Sequence, residues 1–208
     1  MKIGTECRSL RTDAEHGTAR EVVRRQYEKQ GYISDGRGIA SYLETPDAAT
    51  FGLFYDETLC GTISIVFDSP KGLPMDSTYA DELAPWRAAG KKLAEVVQFA
   101  ADNEAYANVS GEKAPAFLTT PLFAAVFSRA LRENVDYLCI TVNPKHERFY
   151  RLLGFVRIGG PKQYASVNAG SVACAFYLPE WDTHPAIETF LGKEILRHLG
   201  KETLSESF

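Results

Sequence analysis

Two stretches of this 208-residue chain hold side chains that could do chemistry. In "KLAEVVQFAAD" one acid, Glu95, sits among apolar neighbours in a strand-like run. By the period of two, Leu93, Val97 and Phe99 share its face. A carboxylate in such company is costly to ionise unless paired, and desolvation raises its pKa. That suits a general base for an amino group, acting directly or through water. The structural alternative is an ion pair with Arg24 or Arg25. The second stretch, "VNPKHERFYRLLGFVRIGG", puts an Asn-Pro, a His, three bases and a Tyr just after a strand. Phosphate grip, catalytic acid and plain surface decoration all fit those residue types. Lys145, Arg148 and Arg151 recur every three residues, on one face of the expected helix, with Phe149, Leu152 and Leu153 turned elsewhere. His146, in the first turn, has the place of a surface or capping residue, and Asn143 turns the chain off the strand.

Charge sharpens the second stretch. The chain carries a net charge of −4, which argues against general nucleic-acid binding. Yet between Pro144 and Lys162 five bases (Lys145, Arg148, Arg151, Arg157 and Lys162) face a single acid, Glu147. A local basic face on an acidic protein points to one specific anionic partner; a solvated helix face is the plainer explanation. No apolar run approaches the roughly 20 residues a membrane helix needs. "MKIGTECRSLRTDAEHG" has no apolar core and is not a secretion signal. Cys7, Cys60, Cys139 and Cys174 are widely spaced, and the last three lie in apolar runs. Reduced core thiols in a cytoplasmic protein are expected, and zinc is not.

The elements that must position these residues follow from periodicity and breakers. Thr18 and Glu21 form a capping box for an amphipathic helix, "AREVVRRQYEKQ", that ends at Gly31. "TFGLFY" and "LCGTISIVFD", joined by "DET", read as a hairpin. Met75, Tyr79, Leu83 and Trp86 recur at helical spacing, giving a helical flap interrupted at Pro85 that either packs in the core or lines a ligand pocket. "KLAEVVQFAAD" is the expected central strand, and "NEAYANVSGEKAPAF" is expected as loop. "TTPLFAAVFSRALREN" is a helix with Pro121 in its first turn. "VDYLCITVN", "KHERFYRLL", "FVRIGG", "SVACAFYL" and "HPAIETFLGKEILRHLG" then read strand, helix, strand, strand, helix. One α/β domain over 1–208 is expected, with loose ends at 1–15 and 200–208.

In this order, "RRQYEKQGYI", "LCGTISIVFDSPKGLPMD", "KLAEVVQFA" and "VNPKHERFYRLLGF" resemble a GNAT-type N-acyltransferase. Within that superfamily they are most similar to the long-chain N-acyl amino acid synthases and the related acyl-homoserine-lactone synthases. The resemblance implies a GNAT-like α/β fold, a mixed, mostly antiparallel sheet flanked by helices. It departs from the lactone synthases in two places. Their Arg three residues after the strand Glu is Gln98 here, and their acidic pair is not evident in "SDGRGIASYLET". Both count against a lactone product.

The resemblance also implies roles. A fatty acyl group would pass from a thioester to the amino group of an amino acid or similar amine. Glu95 would help deprotonate the amine, and the Tyr150 hydroxyl would protonate the departing thiolate. The backbone of Val97, Gln98, Phe99 and Ala100 would hold the carbonyl oxygen, with Asn143 and His146 in the acyl-donor segment and Arg24 and Tyr27 on the acceptor side. Coenzyme A-dependent members grip pyrophosphate with a Gly-rich loop after the central strand. Here that interval, "DNEAYANVSGEKAPAFLTT", has one glycine and three acids. An acyl-carrier-protein donor is therefore expected, docking on Lys145, Arg148 and Arg151, with acyl-coenzyme A as the other thioester co-substrate. No metal or permanently bound cofactor is implied. The alternatives are a lactone synthase, a coenzyme A-dependent N-acetyltransferase, and a non-catalytic GNAT-fold domain that senses an acyl or lipid ligand.

Overall fold

The computed structural model describes residues 4–34, 39–42, 45–164 and 168–205. The N-terminal stretch, expected to be loose, contributes strand β1 (Thr5–Ser9) and the first turn of helix α1 (Asp13–Lys29). Two Thr-x-x-Glu pairs compete to cap that helix, and the outer one wins. Thr12 Oγ1 accepts the Glu15 N–H at 3.2 Å, and Glu15 Oε2 accepts the Thr12 N–H at 3.2 Å. Arg8 of β1 reaches Glu15 at 2.6 Å, so the strand fixes the outer cap. Thr18, of the expected Thr18–Glu21 box, lies inside the helix, where its hydroxyl donates to the Ala14 carbonyl at 3.0 Å.

β2 (Ala48–Tyr55) and β3 (Thr58–Phe67) form the expected hairpin. Its turn residues, Asp56 and Glu57, have φ of 46° and 67°, as a two-residue type I′ turn requires. Helix α2 (Asp76–Ala88) is not interrupted at Pro85; its backbone departs from helical geometry at Tyr79 (φ −128°, ψ 26°). Tyr79 is fully buried, and its hydroxyl donates to the Ser171 carbonyl at 2.7 Å. Pinned to the sheet, Tyr79 bends the helix. Pro85 is exposed, as is Asp81, whose carbonyl lost its N–H partner to the proline, so water can reach it.

β4 (Leu93–Ala101) is the fourth of seven strands in the order β1-β2-β3-β4-β5-β7-β6, central as expected. The others are β5 (Tyr137–Val142), β6 (Val156–Gln163) and β7 (Gly170–Tyr177). Among the described residues only β4 and β5 pair in parallel. Their connection carries α3 (Asn103–Ser110) and α4 (Thr120–Arg132), the latter with Pro121 in its first turn. The α3 stretch was expected as loop. Asp102 Oδ1 caps it by accepting the Ala105 N–H at 3.0 Å, and Gly111 closes it at φ 72°. After β5 come a 3-10 turn (Pro144–His146) and α5 (Glu147–Leu152). The last helix, α6 (Phe190–Ser205), runs through most of the expected loose end.

Helices cover both faces of the sheet. On one face Ala19, Val22 and Val23 of α1 pack on Phe54, Leu59 and Ala100. Beside them Met75, Tyr79 and Leu83 pack on Leu93, Cys139, Ala173 and Ala175. Met75, Tyr79 and Leu83 are thus core, and Trp86 stacks on Tyr137 with ring centroids 4.0 Å apart. On the other face α4 buries Leu122 to Phe127 against Leu53, Ile63, Ile65, Val96, Leu138 and Ile140. Cys60, Cys139 and Cys174 are buried thiols. This is the GNAT-like α/β arrangement that the motif order implied, and no described helix is long and apolar enough to cross a membrane.

Candidate active site

The parallel pairing of β4 with β5 runs from Leu93↔Tyr137 to Val96↔Ile140 and then stops. Both strands continue, β4 to Ala101 and β5 to Val142, so they part and leave a split in mid-sheet. At the same level β4 bulges. Ser64 faces Val97 and Thr62 faces Ala100, so Ile63 alone opposes Gln98 and Phe99. Gln98 takes a left-handed conformation (φ 54°), and its side-chain amide donates to the Ala40 carbonyl at 2.8 Å. The bulge changes the side-chain alternation. Phe99, expected beside Glu95, packs instead on Phe123 of the opposite face, 4.9 Å between centroids. From Val97 on, the β5-facing edge of β4 has no strand partner, so its backbone groups can meet a carbonyl lodged in the split.

Glu95 lies at the base of the split, 1% exposed, between α1 and α2. Its Oε2 accepts the Met75 N–H at 2.7 Å and its Oε1 the Thr141 hydroxyl at 3.4 Å. Burial pushes its pKa up to about 8, against the pull of those two donors. The expected ion-pair alternative does not form. Arg24 is held by Glu21 and Glu28 at 2.6 and 2.7 Å, and Arg25 reaches Asp102 at 2.9 Å. Tyrosines gather round Glu95 instead. Burial raises the phenol pKa values of Tyr27, Tyr42 (to about 12) and Tyr164, and the carboxylate raises each further. Of the two residues expected on the acceptor side, Tyr27 belongs to this group, while Arg24 is spent on its own helix.

Tyr150 is both packed and poised. Its ring, 7% exposed, meets Phe149, Phe155 and Phe123 at 5.1, 6.1 and 6.3 Å on the α4 face. Its phenol pKa is raised by burial and then by Tyr27 and Tyr32. Tyr27 belongs to α1, so Tyr150 feels phenols from the other face of the sheet. A phenol held protonated so firmly is a hydrogen-bond donor first.

The expected basic face is smaller than its sequence suggests. Lys145 lies in the 3-10 turn and Arg148 and Arg151 in α5, so the three do not share one helix. Lys145 donates to Gln30 Oε1 at 3.0 Å and lies over the Tyr32 ring. Glu147 is buried and takes Arg157, with Arg151 at 3.5 Å, and Lys162 meets Glu82 at 2.7 Å. Arg148 is exposed with no ion pair among the described residues. Asn143 caps the turn, accepting the Lys145 N–H at 3.0 Å, and His146 Nε2 lies 3.0 Å from the Tyr32 hydroxyl. Burial, and then Lys145, lower the His146 pKa. Sequence reasoning missed Tyr32, Tyr42, Thr141 and Tyr164. For the three tyrosines the signal was their recurrence in "GYI", "SYL" and "QYA"; Thr141 carried none.

No curated protein matches this chain. Among solved structures it is similar to FeeM, an N-acyl amino acid synthase from uncultured soil microbes. The two are 50% identical over 92% of this chain and 99% of that one, with a TM-score of 0.84. The AHL synthase LasI shares the fold at 15% identity over 85% of this chain and 91% of its own (TM-score 0.60). An N-acetyltransferase from Staphylococcus aureus Mu50 does so at 14% identity, 85% and 99% coverage and TM-score 0.53. The family model for the N-acyl amino acid synthase FeeM matches residues 18–176, which span the split, the bulge, Glu95 and Tyr150. This acyltransferase therefore belongs to the FeeM family of N-acyl amino acid synthases.

Proposed function

We propose that the protein transfers a fatty acyl group from an acyl-carrier-protein thioester to the amino group of an amino acid. The observation that carries this reading is the buried Glu95 at the foot of the split, free of any cation among the described residues and raised to a pKa of about 8. An amino acid arrives as an ammonium and must lose a proton before it attacks. A carboxylate near its own pKa at working pH takes that proton readily. The thioester carbonyl lies in the split against the β4 backbone from Val97 to Ala100, where amides meet the charge that develops on oxygen. The amine attacks that carbonyl carbon, the carbon–sulfur bond breaks, and the amine's second proton goes to the departing sulfur. Tyr150 donates a hydrogen bond to the thiolate as it forms.

The donor end supports a carrier protein. In the interval where a pyrophosphate cradle would lie, an amide at the N-terminus of α3 is already taken by the Asp102 carboxylate, itself paired with Arg25. Arg148 and Arg151 offer an outward basic pair beside Asn143, where the pantetheine arm enters. The test is to incubate purified protein with the twenty amino acids and either long-chain acyl-carrier protein or long-chain acyl-coenzyme A, and to read products by mass spectrometry. N-acyl amino acids made faster from the carrier protein are expected. A better rate from coenzyme A would overturn the donor assignment, and no N-acyl product from either would overturn the whole reading.

A further inference from the structure

A base that takes a proton from an amine can also draw one from water, and water is the commoner nucleophile. An acyl thioester lodged beside Glu95 is hydrolysed unless water is kept from it. The end of α1 has the geometry to do this. On the β4 side, Arg25 and Lys29 hold Asp102 and Glu104, just past the end of that strand, at 2.9 and 2.5 Å. On the β5 side, Gln30 Oε1 accepts from Lys145 Nζ at 3.0 Å, and the Tyr32 hydroxyl lies 3.0 Å from His146 Nε2. Lys145 and His146 belong to the 3-10 turn that follows β5. The end of one helix therefore reaches both strands at the ends where they part.

Tyr32 is the inner member of this bridge. Its half-buried ring meets Tyr27 edge-on, 5.8 Å between centroids, and the Lys145 ammonium lies 5.0 Å from its centre. Tyr27 in turn feels the Glu95 charge, and Tyr150 feels both Tyr27 and Tyr32. Tyr32 stands between the exposed Lys145 and His146 and the phenols that surround Glu95. We propose that Tyr32, tied to His146, covers the split on its α1 side and directs the acyl group to the amine in preference to water. This rests on the acyl-transfer reading above. The backbone of Tyr32 is held independently of its side chain. Its N–H donates to the Tyr27 carbonyl at 2.8 Å, and its carbonyl accepts the Asn168 N–H at 2.6 Å. Replacing the side chain therefore leaves the path of the chain in place.

The experiment follows two products from long-chain acyl-carrier protein: N-acyl amino acid at saturating amino acid, and free fatty acid with no amino acid present. In hydrolysis the water oxygen bonds the carbonyl carbon and the carbon–sulfur bond breaks. One water proton goes to the thiol and the other to solvent. Wild type should release little free acid. Tyr32→Ala should raise the ratio of hydrolysis to transfer by about tenfold or more. Tyr32→Phe keeps the ring and loses the tie to His146, so the ratio should rise less, by about threefold. The extra hydrolysis should vanish when Glu95→Gln is added to Tyr32→Ala, because it uses the same base. An unchanged ratio in Tyr32→Ala, or free acid that persists without Glu95, would overturn the cover while the transfer reading stands. If the wild type forms no N-acyl product, that reading falls and the cover falls with it.

Discussion

Glu95 is held uncharged by its surroundings below about pH 8, and this has a consequence for stability as well as for chemistry. Its folded pKa is raised above the ordinary 4.5. The folded state therefore keeps a proton that the unfolded chain releases, and the protein loses stability as pH rises from about 4.5 to about 8, then levels. Glu95→Gln keeps the shape and the Met75 contact without that titration. Melting temperatures of wild type and Glu95→Gln should be close near pH 5 and diverge towards pH 8.5, with the variant higher by the equivalent of a few kcal/mol. Parallel curves would show that Glu95 is not titrating in the fold. Tyr150→Phe removes only a hydroxyl from a packed ring. It should melt with the wild type, slow transfer by roughly ten- to a hundredfold with alkyl thioesters, and matter least for activated aryl thioesters, whose thiolates need no help. Equal loss with both donors would remove Tyr150 from the leaving-group step. Glu95 was legible because an acid in an apolar strand is conspicuous. Its partners were not, since Met75 and Thr141 meet it only once α2 and β5 have docked.

At the level of elements, the bulge and the split do the positioning. A non-glycine residue with φ of 54° costs roughly 1 kcal/mol, and the Gln98–Ala40 hydrogen bond helps to offset it. Gln98→Val places a β-branched side chain in that conformation and deletes the bond. It should destabilise the fold by about 1–3 kcal/mol and cut turnover more than its effect on KM for the acceptor, because the flattened strand turns its amides from the split. Unchanged turnover in the folded variant would show that the bulge is not needed for the carbonyl. The strand itself was readable from "KLAEVVQFAAD"; the bulge was not, because nothing in "VVQFAA" marks an extra residue, and so Phe99 was assigned to the wrong face. Helix boundaries failed for a related reason. Thr12 and Thr18 both offer a capping box, and the choice depends on Arg8 in a strand whose pairing is tertiary. α3 carried both its signals, Asp102 and Gly111, but only eight residues between them and a weak apolar stripe.

Over the whole molecule, the layout of charge decides how a partner is met. The excess of bases between Pro144 and Lys162 was plain in the sequence, and one long-range pair takes up part of it, while the single acid of the stretch is spent on Arg157. Arg157 goes to Glu147, and Lys162 reaches Glu82, 80 residues away in sequence. What faces outward is Arg148 and Arg151, the latter with 71% of its side chain exposed. Such rim charges act on association and are screened by salt. Reversing both to Glu should raise KM for acyl-carrier protein about tenfold or more at low ionic strength, fade as salt is added, and leave a truncated acyl-pantetheine donor unaffected. Equal effects on both donors would mean the pair supports the fold, not docking. The general arrangement, a central strand followed by helix, strand and the "NPKHERFYRLLGF" helix, was legible because each element has its own period and breakers. The aromatic enclosure of the site was not, since Tyr27, Tyr42, Tyr150 and Tyr164 come from four separate segments that only the finished sheet brings together.

The claim on which everything else depends is that Glu95 takes the proton from the attacking amine. The direct measurement is the pH dependence of kcat/KM for the amino acid, at saturating acyl-carrier-protein donor, in wild type and Glu95→Gln. The wild-type profile should rise through about pH 8, the pKa that burial gives Glu95. The variant should be slower by roughly 10²-fold or more near pH 8 and rise only at the higher pH where the free amine loses its own proton. Profiles of the same shape and height in the two proteins would contradict the account.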